Sequence, residues 1–175
     1  MADEIEVRAV RESEFAAAGE ATARAYREFI APGEPGLEAY VARIADIGAR
    51  VGNAAVLVAL VDGVIAGSAT LEIDSRVTPS SAEPLAPDEA HLRMLGVSPE
   101  HRGRGVARRL VTACIELARD RGKRRLTLDT APVMVAAQGL YSSMGFTPTS
   151  GGRTADGSAL LGYTLTIGSD ARVSR

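Results

Sequence analysis

One stretch constrains this chain more than any other. It runs His91-Leu92-Arg93-Met94-Leu95-Gly96-Val97-Ser98-Pro99-Glu100-His101-Arg102-Gly103-Arg104-Gly105-Val106-Ala107-Arg108-Arg109-Leu110. The first half reads as a strand, the second as a glycine-rich turn opening a helix. The helix follows from Val106, Leu110, Val111, Cys114, Leu117 and Ala118, which fall on one face at helical spacing. Arg104, Arg108, Arg109 and Arg119 lie mostly off that stripe. Arg102 to Ala107 therefore sit where the first helical N–H groups lack an intrahelical partner. Those groups, with the positive end of the helix dipole, favour an anion. Gly103 and Gly105 admit a ligand close to the backbone. Arg102 and Arg104 add charge suited to phosphate oxygens. The segment has the chemistry of a pyrophosphate site.

Three phosphate-binding patterns compete for it. A P-loop needs Lys-Ser or Lys-Thr after its last glycine, and neither is present. A dinucleotide turn needs a third Gly or Ala where Arg108 stands. The third pattern fits. Arg102-Gly103-Arg104-Gly105-Val106-Ala107 resembles the Arg/Gln-x-x-Gly-x-Gly/Ala signature of the GNAT superfamily of N-acetyltransferases. The lead-in Leu92-x-x-Leu95-x-Val97-x-Pro99 resembles that family's fourth strand. About 35 residues later, Leu140-Tyr141-Ser142-Ser143-Met144-Gly145-Phe146 resembles its C-terminal Leu-Tyr-x-x-x-Gly-Phe motif. Alone, the Gly-Arg repeat also fits a flexible helix start; the second motif weighs against that reading.

Composition narrows the classes. A chain of 175 residues suits one domain with a real core. Net charge is −2, which gives no reason to expect nucleic acid or an acidic membrane as partner. A single cysteine, Cys114, excludes an internal disulfide and suits a reducing compartment. It lies on the apolar helix face and reads as a small hydrophobe. No apolar run approaches a membrane span, and the acidic start Met1-Ala2-Asp3-Glu4 is unlike a signal peptide. The expected location is cytoplasmic. No Cys/His/Asp spacing suggests a metal, and no Gly-x-Ser-x-Gly elbow suggests a hydrolase.

Taken in order, Ile5 to Val10 alternate as a strand, and Ser13 is placed to cap the helix that follows. Phe15, Thr22, Tyr26, Phe29 and Ile30 mark one helical face; Leu37, Tyr40, Val41, Ile44, Ile47 and Val51 mark a second. Ala54 to Val61 is a continuous apolar strand, and Asp62-Gly63 turns it into the partner strand Val64 to Ile73. The Pro-rich stretch 74–88 reads as a loop, either a substrate lid or a neutral insertion. Lys123-Arg124-Arg125 reads as a solvated cluster after the central helix, with 3′-phosphate contact as the alternative. A strand at 126–130 precedes a helix opened by Pro132, with Val133, Ala136, Ala137, Leu140 and Met144 on its apolar face. Two strands around 146–149 and 159–167, joined near Asp156-Gly157, end the pattern.

The order β-αα-βββ-α-β-α-ββ predicts an α+β fold with one central sheet. The family resemblance implies a mixed, mostly antiparallel sheet of about seven strands with about four helices. It implies a single acetyltransferase-like domain over 1–175, with a core of about 4–167 and a flexible tail at 168–175.

The resemblance also implies chemistry. Acetyl-CoA is the donor, with a small-molecule amine or a peptide N-terminus as acceptor and a homodimer as one assembly to consider. Arg102, Gly103, Arg104, Gly105, Val106 and Ala107 hold the pyrophosphate. Leu95, Gly96 and Val97 give main-chain bonds to the pantetheine where the fourth strand splays from the fifth. Tyr141 matches a tyrosine near the cofactor sulfur and would protonate the leaving thiolate. His91 stands where family members often carry a carboxylate base; either it, or Glu89 two residues earlier through water, would take the amine proton. Arg93 is an alternative contact for an acidic group on the acceptor, and His101 is placed nearer phosphate than chemistry. By resemblance Tyr26, Phe29 and Tyr40 could line the acceptor entrance, but their helical periodicity favours core positions. Met134 departs from the pattern, since many members carry a cofactor-binding asparagine there. That departure keeps open a second function, a non-catalytic acyl-CoA-binding module of the same fold.

Overall fold

The structure, a computed structural model, describes residues 4–30, 33–74, 84–154 and 157–168. In chain order the elements are β1 (Ile5–Ala9), α1 (Phe15–Arg27), α2 (Leu37–Ala45), α3 (Gly48–Val51), β2 (Ala55–Val61), β3 (Val64–Glu72), β4 (Glu89–Val97), α4 (Val106–Asp120), β5 (Arg125–Thr130), α5 (Val135–Ser143), β6 (Thr147–Thr149) and β7 (Leu161–Thr166). The strands form one seven-stranded sheet in the order β1-β2-β3-β4-β5-β7-β6. β4 and β5 run parallel, and the other neighbouring pairs are antiparallel.

The sheet is covered on both faces. The larger apolar cluster joins Leu71, Leu92, Leu126 and Leu128 to Leu110, Val111 and Cys114 of α4 and Tyr141 of α5. On the other face Val56, Val58 and Leu60 pack on Ala18 of α1 and on Ile47. Strand β2 is apolar throughout because both its faces are covered. Asp62 and Gly63 both take positive φ, 50° and 81°, which suits a tight turn between right-twisted strands.

Several sequence expectations shift. The helical face running to Val51 is broken in two at Asp46, whose Oδ1 accepts from the Ala49 N–H at 3.0 Å. A side chain that offers its own acceptor competes with continuation of the helix. Helix α1 ends at Arg27, so Phe29 and Ile30 lie beyond it. Helix α5 begins at Val135, and Val133 is exposed instead of packed. Lys123 is not solvated: it is buried and donates to Pro87 O at 3.1 Å. Residues 75–83 of the Pro-rich stretch, Asp156 and the tail beyond Gly168 lie outside the described residues. Among the described residues no helix is long and apolar enough to cross a membrane.

Candidate active site

The site begins with a defect in β4. Met94 has φ +49°, in the left-handed region that bulky residues rarely adopt. Pairing with β3 slips there: Ser68 faces Gly96, yet Thr70 faces Arg93. One extra residue in β4 makes a bulge, which bends the strand. On the other side, pairing with β5 runs only from Glu89–Arg125 to Leu92–Leu128. Past the bulge the two parallel strands part, and the β5-facing backbone edge of Leu95, Gly96 and Val97 has no neighbouring strand. Gly96 is required for a different reason. A Cβ on it would stand 3.0 Å from Thr22 Cγ2 and 3.1 Å from Ala25 Cβ, so α1 lies directly on the strand.

The glycine-rich turn closes this gap at one end. Gly103 and Gly105 have φ of +73° and +83°, and a Cβ on either would point into open space. Gly105 is the N-cap of α4 and no side chain caps the helix. The amides of the first turn therefore lack a side-chain cap at the positive end of the helix, with open space beside the two glycines. This fits a pyrophosphate held by backbone. The Arg102 side chain, expected to reach phosphate, is turned away: Nε donates to Val97 O at 3.2 Å, Nη2 to Ala25 O at 3.3 Å, and it pairs with Glu28. What Arg102 offers an anion is its place in the turn. His101 is tied to Ser98, with Nδ1 2.9 Å from Oγ. Arg108 Nη2 donates to Ser143 Oγ at 2.7 Å, linking α4 to α5.

Tyr141 stands on α5 at 5% exposure, against the rings of Phe146 at 5.7 Å and Tyr163 at 5.9 Å. Burial raises its pKa above the ordinary tyrosine value, with a smaller contribution from Cys114. Tyr26 stands on α1, and burial raises its pKa in the same way, with Tyr40 and Tyr141 adding to the effect. Tyr26 and Tyr40 meet edge to face at 6.4 Å, and Arg43 lies 5.2 Å over the Tyr40 ring. Phe29 and Tyr40 are exposed, at 38% and 37%, which decides against the core reading for those two. Met134 accepts a contact from Thr130 Oγ1 through its sulfur at 3.6 Å.

His91 belongs to a chain of polar contacts along the α1-facing side of the sheet. Thr127 Oγ1 donates to Glu89 Oε1 at 2.6 Å. That hydroxyl has one hydrogen, so toward His91 Nδ1, at 2.8 Å, it accepts. Nδ1 then carries the imidazole hydrogen and Nε2 is the acceptor nitrogen. Nε2 lies 3.9 Å from Asp129 Oδ2. Glu89 does not fit a water-mediated base: besides Thr127 it binds Arg125 Nη2 at 3.3 Å and the Ala86 N–H at 3.3 Å. Sequence reading missed Glu72, which is fully buried on the same face and 3.3 Å from Arg93 Nη1. Strand alternation was its signal, because Ser68, Thr70 and Glu72 all point to one side.

A mixed sheet split between two parallel strands, with an open helix start at the split, is the arrangement of the GNAT acetyltransferase fold. Solved structures of that fold superpose over nearly the whole chain. The ribosomal-protein-S18-alanine N-acetyltransferase of Escherichia coli matches with TM-score 0.67 at 21% identity, covering 98% of this chain and 99% of that one. The acetyltransferase yncA of Salmonella typhimurium, solved with its cofactor acetyl-CoA, gives TM-score 0.67 at 21% identity, with 98% of each chain covered. A sequence model described as the Acetyltransferase (GNAT) family matches residues 20–146. The chain belongs to that family. Human N-acetyltransferase 8B is 46% identical over 55 residues, 31% of this chain and 24% of that protein. The chain thus spans about a quarter of that relative's length.

Proposed function

We propose that the protein transfers an acetyl group from acetyl-CoA directly to a primary amine. The observation that carries this reading is the coincidence, at one end of β4, of an uncapped glycine-rich helix start and an unpaired strand edge. The cofactor supplies an activated thioester carbonyl. Arg102 to Ala107 hold its pyrophosphate through main-chain N–H groups, and Leu95 to Val97 align its arm by strand-like bonds. An N–H of that edge polarises the carbonyl where negative charge develops.

His91 Nε2 takes the proton of the attacking amine, and Asp129 stabilises the imidazolium that results. Glu89 is a positioning residue: through Thr127 it fixes the tautomer of His91. Tyr141 faces the leaving sulfur. Its raised pKa makes it a weak acid toward a thiolate of pKa about 8.5. Tyr141 therefore stabilises the sulfur by hydrogen bonding more than by full proton transfer.

The test is thiol release from acetyl-CoA with and without a panel of primary amines. Acceleration by a subset of amines, with acetylated product, is the expected result. Slow hydrolysis that no amine accelerates would instead make the protein a non-catalytic acyl-CoA-binding module.

A further inference from the structure

Arg102 belongs by sequence to the donor turn, yet its side chain is bound to other elements. Helix α1 ends at Arg27, and the carbonyls of a last helical turn lose their intrahelical partners. The Phe29 N–H, which stands one helical repeat after Ala25, donates to Tyr26 O instead. Arg102 Nη2 donates to Ala25 O at 3.3 Å. Its charge also sits at the negative end of the α1 dipole, where a cation is favoured. Nε donates to the O of Val97, the last residue of β4, at 3.2 Å. Nη1 pairs with Glu28, which follows the helix. One guanidinium thus ties the end of α1 to the end of β4 and to the turn. A second link has the opposite polarity: Arg24 of α1 donates through Nη1 and Nη2 to Glu100, just before the turn, at 2.8 and 3.0 Å.

Helix α1 covers the sheet face on which the acceptor is handled. Thr22 Oγ1 donates to Ala18 O, so the hydrogen bond between the Thr22 and Ser68 hydroxyls has Ser68 as donor. Ser68 therefore points to α1, and by strand alternation so do Thr70 and Glu72. Glu72 is the register partner of His91, which places His91 on the same face. An amine that reaches His91 lies on the face that α1 covers. The middle of the helix is fixed by Thr22 against Ser68 and by the close approach of Thr22 and Ala25 to Gly96. Arg102 fixes its last turn, which carries Tyr26 and Arg27.

We propose that the Arg102 side chain is a positioning residue for the acceptor and not a ligand of the donor. It caps α1 and holds the last turn of that helix, with Tyr26, against the end of β4. This rests on the acetyltransferase reading above. The pyrophosphate is served by the main chain of the turn, which a substitution at Arg102 leaves in place. The arginine of a phosphate signature then acts on the other substrate.

The experiment uses Arg102→Gln, which removes the charge, and Arg102→Lys, which keeps the charge but loses the fork. Acetyl-CoA is titrated calorimetrically into the parent and both variants. Amide exchange is followed over Ala23–Glu28, and acetylation of tyramine, spermidine and glycinamide is read by thiol release. Acetyl-CoA affinity should be the same in all three proteins. Exchange over Ala23–Glu28 should quicken by roughly 10-fold in Arg102→Gln, the size of one charge-assisted hydrogen bond, and by less in Arg102→Lys. The KM of whichever amine is acetylated should rise in the same order, with kcat nearly unchanged, as lost acceptor binding requires. Glu28→Gln is the milder variant should Arg102→Gln fold poorly: it removes only the exposed ion pair, and should move exchange and acceptor KM the same way by a smaller factor. Loss of acetyl-CoA affinity in Arg102→Gln that Arg102→Lys restores, with α1 exchange unchanged, makes the side chain a phosphate ligand and overturns the proposal. Faster α1 exchange with an unchanged acceptor KM makes the cap merely structural and overturns it too. If no amine is acetylated by the parent, the acetyltransferase reading fails, and acetyl-CoA affinity set against α1 exchange still decides which element Arg102 serves.

Discussion

The two sides of the β4 split are built from different materials. Under the proposed function the donor side is backbone: the amides at the start of α4, two glycines of positive φ and the strand edge past Met94. On that same reading the acceptor side is side chains, with Tyr26 from α1, Glu72 from β3, His91 and Arg93 from β4 and Asp129 from β5. Backbone reads a ligand that is the same in every turnover. Side chains from many elements read one that is particular to this protein. The difference predicts that donor-side changes alter cofactor affinity whatever the acceptor, whereas acceptor-side changes alter turnover or selectivity and leave cofactor binding intact.

The sharpest break is His91→Ala. It should lower kcat by about 10²- to 10⁴-fold, the usual worth of a general base. The thermal stabilisation by acetyl-CoA should persist; loss of both together would place His91 on the donor side. Next is Gly96→Val, which forces atoms into α1 at Thr22 and Ala25. Overpacking costs about 1–3 kcal/mol, a Tm drop of roughly 3–10 °C for a domain of this size. A differential scan checks it.

Gly105→Val puts a side chain at φ +83°, at a cost of about 1–2 kcal/mol. It should weaken acetyl-CoA by roughly tenfold or more, with acceptor KM unaltered; an equal rise in acceptor KM would merge the two sides. Tyr141→Phe should lower kcat by about tenfold with cofactor affinity intact, one weak donor being lost at the sulfur. The smallest effect is in pH. Burial holds the Tyr141 phenol above its ordinary range, so it stays protonated below about pH 10. A profile of kcat against pH should then show no descending limb from Tyr141 in that range, and Tyr141→Phe should not change its shape.

The elements of the proposed donor side were readable in the sequence because their signals are local. Gly103, Gly105 and the apolar stripe of α4 lie within one short window, and the strand and helix order follows from periodicity. Tyr141 was readable from its motif, although its burial among Phe146 and Tyr163 was not. The bulge was hidden because methionine carries no preference for positive φ, and only the tertiary pairing of β4 forces it. The acceptor side was hidden for a different reason. Glu89 and Thr127 meet across 38 residues, and Arg93 and Glu72 across 21. No periodicity marks such pairs.

Amide hydrogen exchange with and without acetyl-CoA tests the central claim most directly. The account predicts new protection at two separate segments, Leu95 to Val97 and Arg104 to Ala107, as the unpaired strand edge and the uncapped helix start acquire acceptors. Protection elsewhere with both segments unchanged would mean that the split in the sheet does not hold the donor, and the assignment of the two sides would fall with it.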